Sequence, residues 1–165
     1  MDPSDLSDLS DGSDRFDPNV PDPFWLTPVQ RYYPFRLYLR RLYPGRRVRK
    51  ISLDAGFTCP NRDGTKGTGG CAFCSNPSFS PPARGPARPV AEQVREGIAA
   101  ARRTRGADGF IAYFQAYTNT YAPAARLRAL YDEALGADPC VLGLSVGTRP
   151  DAVPDEVLDL LQSYA

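Results

Sequence analysis

The chain has 165 residues, of which 42% are hydrophobic, and a net charge of +1 at pH 7. This length is enough for one domain with a hydrophobic core. No apolar run approaches the roughly 18 residues that cross a bilayer, which excludes a membrane-spanning protein, and the near-neutral charge disfavours a dedicated nucleic-acid binder.

The charge is distributed unevenly along the chain. Residues 1–27 contain seven aspartates and one arginine, a net charge of −6, so the remainder carries +7. Low hydrophobicity, like charge and repeated Ser and Pro predict a disordered acidic leader over residues 1–27, followed by one folded domain over residues 28–165. The Ser-Asp-Leu repeats of the leader would also suit a docking peptide. Because the leader lacks the apolar segment of a signal peptide, we expect a reducing, cytoplasmic location.

A basic and aromatic segment follows the leader. A helix is predicted from Pro28 to about Tyr43, where Pro44 and Gly45 end the pattern. From Arg31 to Lys50 there are eight basic residues and no acidic ones. Basic side chains can neutralise phosphates and aromatic rings can stack on unpaired bases, so this segment is a candidate RNA-binding surface. The alternative is an amphipathic helix that packs its rings on the domain. The interleaved rings are Tyr32, Tyr33, Phe35, Tyr38 and Tyr43.

Three strand–helix units make up the rest of the chain. Strands are predicted at 49–53, 109–115 and 140–146, and the third is apolar throughout, as a buried parallel strand would be. The alternation predicts an α/β fold of order βαβαβα with parallel strands and right-handed crossovers. The predicted inward faces of the three helices are Val90, Val94, Ile98 and Ala101, then Leu127, Leu130 and Tyr131 after Pro123, then Val157, Leu160, Leu161 and Tyr164 after Pro154.

Three cysteines lie in the loop after the first predicted strand. Cys59, Cys71 and Cys74 are separated by eleven and by two residues, with a glycine-rich run between the first two. Clustered thiolates select zinc, copper(I) or iron–sulfur clusters. The chain has no histidine, and Cys140 lies 66 residues beyond Cys74. Three local ligands and an open position favour a three-thiolate [4Fe–4S] site. A disulfide, or a zinc site with Cys140 or Asp63 as the fourth ligand, remains an alternative.

Three runs carry a resemblance to a known family. They are KISLDAGFTCPNRDGTKGTGGCAFC, AYFQAYTNTY and GLSVGTRPDAVPDEVLDLL, and together they lie within residues 31–165. In these runs the chain resembles the radical S-adenosylmethionine (SAM) superfamily and, within it, the bacterial YhcC-type family. The long first cysteine spacing is similar to that of the elongator catalytic subunit and its relatives. The resemblance implies a partial (β/α) TIM-type barrel of six or more strands, of which three βα units would be the N-terminal half, so we expect a truncated chain.

The resemblance also implies cofactors and partners. Cys59, Cys71 and Cys74 would hold a [4Fe–4S] cluster whose fourth iron takes the amino and carboxylate groups of SAM. Reductive cleavage of SAM would then give a 5′-deoxyadenosyl radical, with electrons from a reductant such as flavodoxin or ferredoxin. The substrate is unknown, with RNA a candidate. The alternative function is a non-catalytic zinc- or iron–sulfur-binding module.

The resemblance assigns further residues to SAM. Phe73 would pack near the adenine, and Thr148, Arg149 and Asp151 would meet a carboxylate or ribose, because Arg matches carboxylates bidentately. The alternatives are a core position for Phe73, loop capping for the others, and an Arg149–Asp151 pair. Contacts to the methionine end are expected from Gln115, Tyr117, Thr118 and Asn119.

Overall fold

The computed structural model describes residues 32–75 and 88–165, which fall in two compact units that divide between Arg46 and Arg47. In the first unit, α1 spans Phe35–Leu42 and follows Pro34. Residues 32–34 are not helical, so the helix begins later than the predicted start at Pro28, which itself lies outside the described residues. Proline disfavours the helical conformation in the residue before it, so Tyr33 cannot lead a helix into α1. The predicted acidic leader also lies outside the described residues.

The second unit alternates strands and helices, as predicted. A single 3₁₀ turn, Pro150–Ala152, precedes the last helix. In chain order the elements are β1 (Val48–Leu53), α2 (Val90–Arg105), β2 (Gly109–Phe114), α3 (Ala124–Gly136), β3 (Val141–Val146) and α4 (Asp155–Gln162).

The three strands form one parallel sheet in the order β1-β2-β3. Val48 lies opposite Gly109, and Phe110 opposite Val141, with a register shift between Phe110 and Ile111. The described residues therefore have an α/β fold. Since the strands are parallel, the loops after β1, β2 and β3 all leave the same edge of the sheet.

The helices bury the faces that their periodicity predicted. Val94 and Ile98 of α2 are buried, and α2 packs on β1 and α3. The helix comes close to the sheet at Gly97, where an added Cβ would lie 2.4 Å from Ile51 Cγ2. α2 ends at Gly106, whose left-handed φ of 56° suits a glycine C-cap. The side chains that are wholly inaccessible to solvent include Leu53, Phe110, Phe114, Leu127 and Tyr131.

β3 differs from the prediction of a buried strand. All six of its residues are only partly buried, whereas β2 is buried at five of its six positions. Within residues 32–75 and 88–165, β3 is an outer strand of the sheet, and one of its edges lacks a neighbouring strand. Among the same residues no helix is both long enough and apolar enough to span a membrane.

Candidate functional site

The loop after β1 that contains Cys59, Cys71 and Cys74, here called the cysteine loop, is fixed where it leaves β1. Asp54 is buried, and its backbone N–H donates to Gln93 Oε1 of α2 at 2.9 Å. Gln93 Nε2 donates in return to the Asp54 carbonyl at 2.7 Å. The Asp54 carboxylate accepts a hydrogen bond from the Gly56 N–H at 2.9 Å. These bonds satisfy buried polar groups and fix the direction in which the chain leaves the sheet.

The segment between Cys59 and Cys71 is folded on itself. The N–H groups of Lys66 and Gly67 both donate to the Pro60 carbonyl, at 2.8 and 3.2 Å. An antiparallel bridge between Asp63 and Thr68 encloses a turn that contains Thr65 and Lys66. Asp63 accepts a hydrogen bond from the Thr65 N–H at 3.0 Å, which lowers the pKa of its carboxyl group. The long spacing between the two cysteines is therefore a compact structure.

One cavity of about 320 Å³ brings the ends of the three strands together. It is lined by residues of the cysteine loop and of the loops after β2 and β3. All three clustered cysteines line it, and Cys140 does not. The predicted site residues that line it are Cys59, Cys71, Phe73, Cys74, Gln115, Tyr117, Thr118, Thr148 and Arg149.

The Cys59 thiol lies beside a cation. Arg149 Nη1 is 3.7 Å from Cys59 Sγ. Partial burial raises the pKa of Cys59. Hydrogen bonds from Thr118, the Asn61 backbone and Arg149, together with the charge of Arg149, lower this pKa, and their combined effect is larger than that of burial. The net result is a pKa below the usual value of a thiol, which favours the thiolate that binds metals.

Arg149 is held in place by Asp151, which is the pairing that the alternative interpretation expected. Arg149 Nε and Nη2 donate to the two Asp151 oxygens, each at 2.9 Å. Lys66 of the cysteine loop donates to the same carboxylate. Hydrogen bonds from Arg149 and then Lys66 hold the pKa of Asp151 well below its usual range. Asp151 does not line the cavity but binds Arg149, which does.

Cys71 and Cys74 form a tight turn at the cavity rim. The Cys74 N–H donates to the Cys71 carbonyl at 2.9 Å, and Asn61 Nδ2 donates to Cys71 Sγ at 3.1 Å. Phe73 is 90% exposed, so the alternative that it is a core residue is wrong.

The four cysteines are free thiols, and the structure contains no disulfide among them. In the part of the chain that the structure describes, no three His, Cys, Asp or Glu side chains are grouped closely enough to hold a metal ion. The donor chemistry of the three cysteines suits a cluster, and all three line one cavity, but their sulfurs do not form a ligating group as they stand.

The loop after β2 contains a strained residue and a buried one. Tyr117 lines the cavity with φ = 64°, the single non-glycine residue with positive φ among those described. Such a conformation is costly for a bulky side chain and tends to occur at functional sites. Asn119 is fully buried and does not line the cavity; its Nδ2 donates to the Gly147 and Phe114 carbonyls at 2.8 and 3.2 Å. It therefore joins the ends of β2 and β3, and its Oδ1 has no hydrogen-bond partner in the described residues.

Sequence reasoning missed three residues that line the cavity, Arg62, Gly70 and Gly147. Arg62 lies over the Tyr117 ring, with Cζ 4.8 Å from the ring centroid. At Gly147 an added Cβ would lie 3.2 Å from the Phe114 carbonyl oxygen, so a larger residue would require the backbone to shift by a few tenths of an ångström. The signal for Arg62 and Gly70 was their position inside the cysteine spacing. Gly147 depends on a contact with the end of β2, which a sequence pattern does not contain.

Comparisons with known proteins place this chain beside three curated relatives. It is 48% identical over 126 residues to protein YhcC of Escherichia coli K12, covering 76% of this chain and 39% of YhcC. It is 42% identical over 144 residues to the uncharacterised protein YtqA of Bacillus subtilis, covering 87% of this chain and 44% of YtqA. It is 34% identical over 134 residues to the uncharacterised protein MJ0486 of Methanocaldococcus jannaschii, covering 79% of this chain and 39% of MJ0486.

The chain thus spans about two-fifths of the length of the curated relatives it matches. No family model matches it. No solved structure matches it either.

Proposed function

We propose that this chain is the cluster-binding part of a radical SAM enzyme, in which Cys59, Cys71 and Cys74 hold a [4Fe–4S] cluster. The observation that carries the proposal is the single cavity to which one loop contributes three free thiols and to which two further strand ends contribute polar residues. Three thiolates leave one iron of the cluster without a protein ligand. An open coordination position of this kind is typical of a site that binds a reacting molecule rather than of a structural metal site.

The residues of the chain would have separate roles at this site. The thiolates of Cys59, Cys71 and Cys74 bind iron, and Arg149 places a positive charge beside the Cys59 sulfur. Phe73 offers an exposed ring at the rim for an adenine. When bound, the cluster would supply the electron that cleaves SAM to methionine and a 5′-deoxyadenosyl radical. Contacts to the methionine end are assigned to Gln115, Tyr117 and Thr118, which line the cavity, whereas Asn119 would act by joining the strand ends.

The three βα units belong, in this proposal, to a partial TIM-type barrel. The residues of the cavity follow the carboxyl ends of β1, β2 and β3, which is where (β/α) barrels carry their sites. The partly buried β3 offers an edge on which a further parallel strand could pair. The remaining strands would come from the segment that the longer relatives have beyond this match.

Partners are proposed from charge and exposure. A flavodoxin or ferredoxin would supply the electron in a reducing cytoplasm.

RNA is a candidate substrate because the rings of Phe35 and Tyr38 on α1 stack, with their centroids 5.8 Å apart, and are each nearly half exposed, next to Arg36. Labelled oligouridine should bind with a steep salt dependence, and Tyr38→Ala should weaken binding severalfold. Equal binding by Tyr38→Ala and by the wild-type chain would count against this surface.

Anaerobic reconstitution with iron and sulfide tests the function. We expect about four irons per chain and a visible absorbance that dithionite bleaches. Added SAM should change the electron paramagnetic resonance (EPR) spectrum of the reduced cluster, because a new ligand reaches iron. One tightly bound zinc with no uptake of iron would refute the proposal and favour the binding module.

A further inference from the structure

The turn between Cys59 and Cys71 is attached to the two neighbouring strand ends. Thr65 Oγ1 lies 3.0 Å from the hydroxyl oxygen of Tyr121, after β2. Lys66 Nζ pairs with Asp151, after β3. The members of the first pair are 56 positions apart in sequence, and those of the second pair are 85 positions apart. The cysteine loop therefore contacts both of the loops that complete the cavity.

Asp151 connects this attachment to the Cys59 sulfur. Its carboxylate binds Lys66 on one side and both Nε and Nη2 of Arg149 on the other. Because Nε and Nη2 of the planar guanidinium bind Asp151, the orientation of the group is fixed, and the remaining nitrogen, Nη1, faces Cys59 Sγ at 3.7 Å. From the sequence, the paired N–H groups of Arg149 were assigned to the carboxylate of a ligand. In the structure, Nε and Nη2 already bind Asp151.

We propose that Lys66, Asp151 and Arg149 form a clasp that fixes the cysteine loop against β3 and presents a cation to the Cys59 sulfur. Asp151 is a positioning residue in this clasp, acting through Arg149. The inference rests on the proposed function for its role at a cluster, but the clasp itself exists in the metal-free chain.

The clasp should act locally rather than on global stability. The side chains of Lys66 and Asp151 are 49% and 36% exposed, and exposed ion pairs contribute little to the free energy of unfolding. Their loss should free one loop and leave the rest of the fold intact. An effect on the loop without a fall in melting temperature would therefore be the signature of the clasp.

Hydrogen exchange of the metal-free chain tests the attachment. The amides of Lys66 and Gly70 are hydrogen-bonded within the loop, to the carbonyls of Pro60 and Asn61. Lys66→Met and Asp151→Asn should each speed their exchange by about threefold, the size expected for one exposed ion pair. Asp151→Glu, which keeps the charge, should restore part of the protection.

A control substitution sharpens this test. Arg88→Met removes a comparable exposed pair with Glu92 and Glu96 and should leave the loop unchanged. Unchanged exchange in both Lys66→Met and Asp151→Asn would overturn the clasp, whether or not the wild-type chain takes up iron.

The reconstituted chain tests the link to Cys59. Asp151→Asn and Arg149→Lys should alter the EPR spectrum or the midpoint potential of the reduced cluster, because the first removes a negative charge from the clasp and the second changes where the cation lies relative to the Cys59 sulfur. Arg88→Met should not. Wild-type-like spectra in both variants would overturn the positioning role. If the wild-type chain binds no iron, the proposed function fails and hydrogen exchange alone decides the clasp.

Discussion

At the scale of single residues, the environments of the four cysteines divide them into three and one. Cys59, Cys71 and Cys74 line the cavity, whereas Cys140 accepts a hydrogen bond from Arg102 Nη2 at 3.1 Å at the start of β3. Alanine at any of the first three should abolish iron retention after reconstitution, because each substitution removes a proposed ligand. Cys140→Ala should retain the wild-type iron content. Iron loss in that variant would contradict the assignment.

Tyr131 predicts a dependence of stability on pH. Burial, and secondarily the nearby Tyr164, raise its pKa to about 12, and its hydroxyl donates to the Asn119 carbonyl at 2.8 Å. A pKa raised in the folded state means that the stabilisation is complete below the unfolded value of about 10 and is lost between pH 10 and 12. Denaturant titrations should show the free energy of unfolding falling over this window by on the order of 2 kcal/mol.

The matched control for this prediction is Tyr131→Phe. It should lower stability at pH 7 by about 1 to 3 kcal/mol, because the buried Asn119 carbonyl loses its donor. Its stability should then depend less on pH above pH 10 than that of the wild-type chain. Identical slopes for the two proteins would show that other groups cause the loss.

At the scale of elements, the contact of α2 with β1 depends on Gly97. Gly97→Ala would gain about 1 kcal/mol in helix propensity but would place a methyl group 2.4 Å from Ile51 Cγ2. Because Ile51 is on a strand and branched at Cβ, we expect a net loss of about 1 to 3 kcal/mol, measured as a lower denaturation midpoint. In an Ile51→Ala background the same substitution should cost less. Equal costs in both backgrounds would exclude the steric explanation.

The elements also show what the sequence could predict. The α2 face containing Val94 and Ile98 was found because helical periodicity reports burial directly. The burial of β3 was overestimated, because an apolar run predicts a strand but does not show whether another strand pairs with each of its edges. The start of α1 was misjudged because Pro28 was taken as a first turn without weighing Pro34. The Lys66–Asp151 contact could not be found, because it joins residues 85 positions apart.

At the scale of the whole molecule, this chain matches only about two-fifths of the length of its relatives, and this leads us to expect low activity from the chain alone. All three proposed thiol ligands are local, so the chain alone should load a cluster if the proposed function holds. If the proposed function holds for both proteins, this chain should bind SAM more weakly than full-length YhcC and produce 5′-deoxyadenosine more slowly, because three βα units of the proposed barrel would neither fix the adenosyl group nor exclude water. Chromatographic assays of 5′-deoxyadenosine from both proteins test this. Equal rates would show that the 165 residues already form a complete site.

The strand order β1-β2-β3 follows the order of synthesis, and this has a consequence for the newly made chain. Arg149 follows Cys74 by 75 residues, which takes roughly 4 to 15 s to translate. During those seconds the thiols have left the ribosome before the residues after β3 that complete their cavity. Under the proposed function, a thiol reductant or an iron donor met in that interval would keep the thiols available for the cluster, whereas an oxidant would remove them.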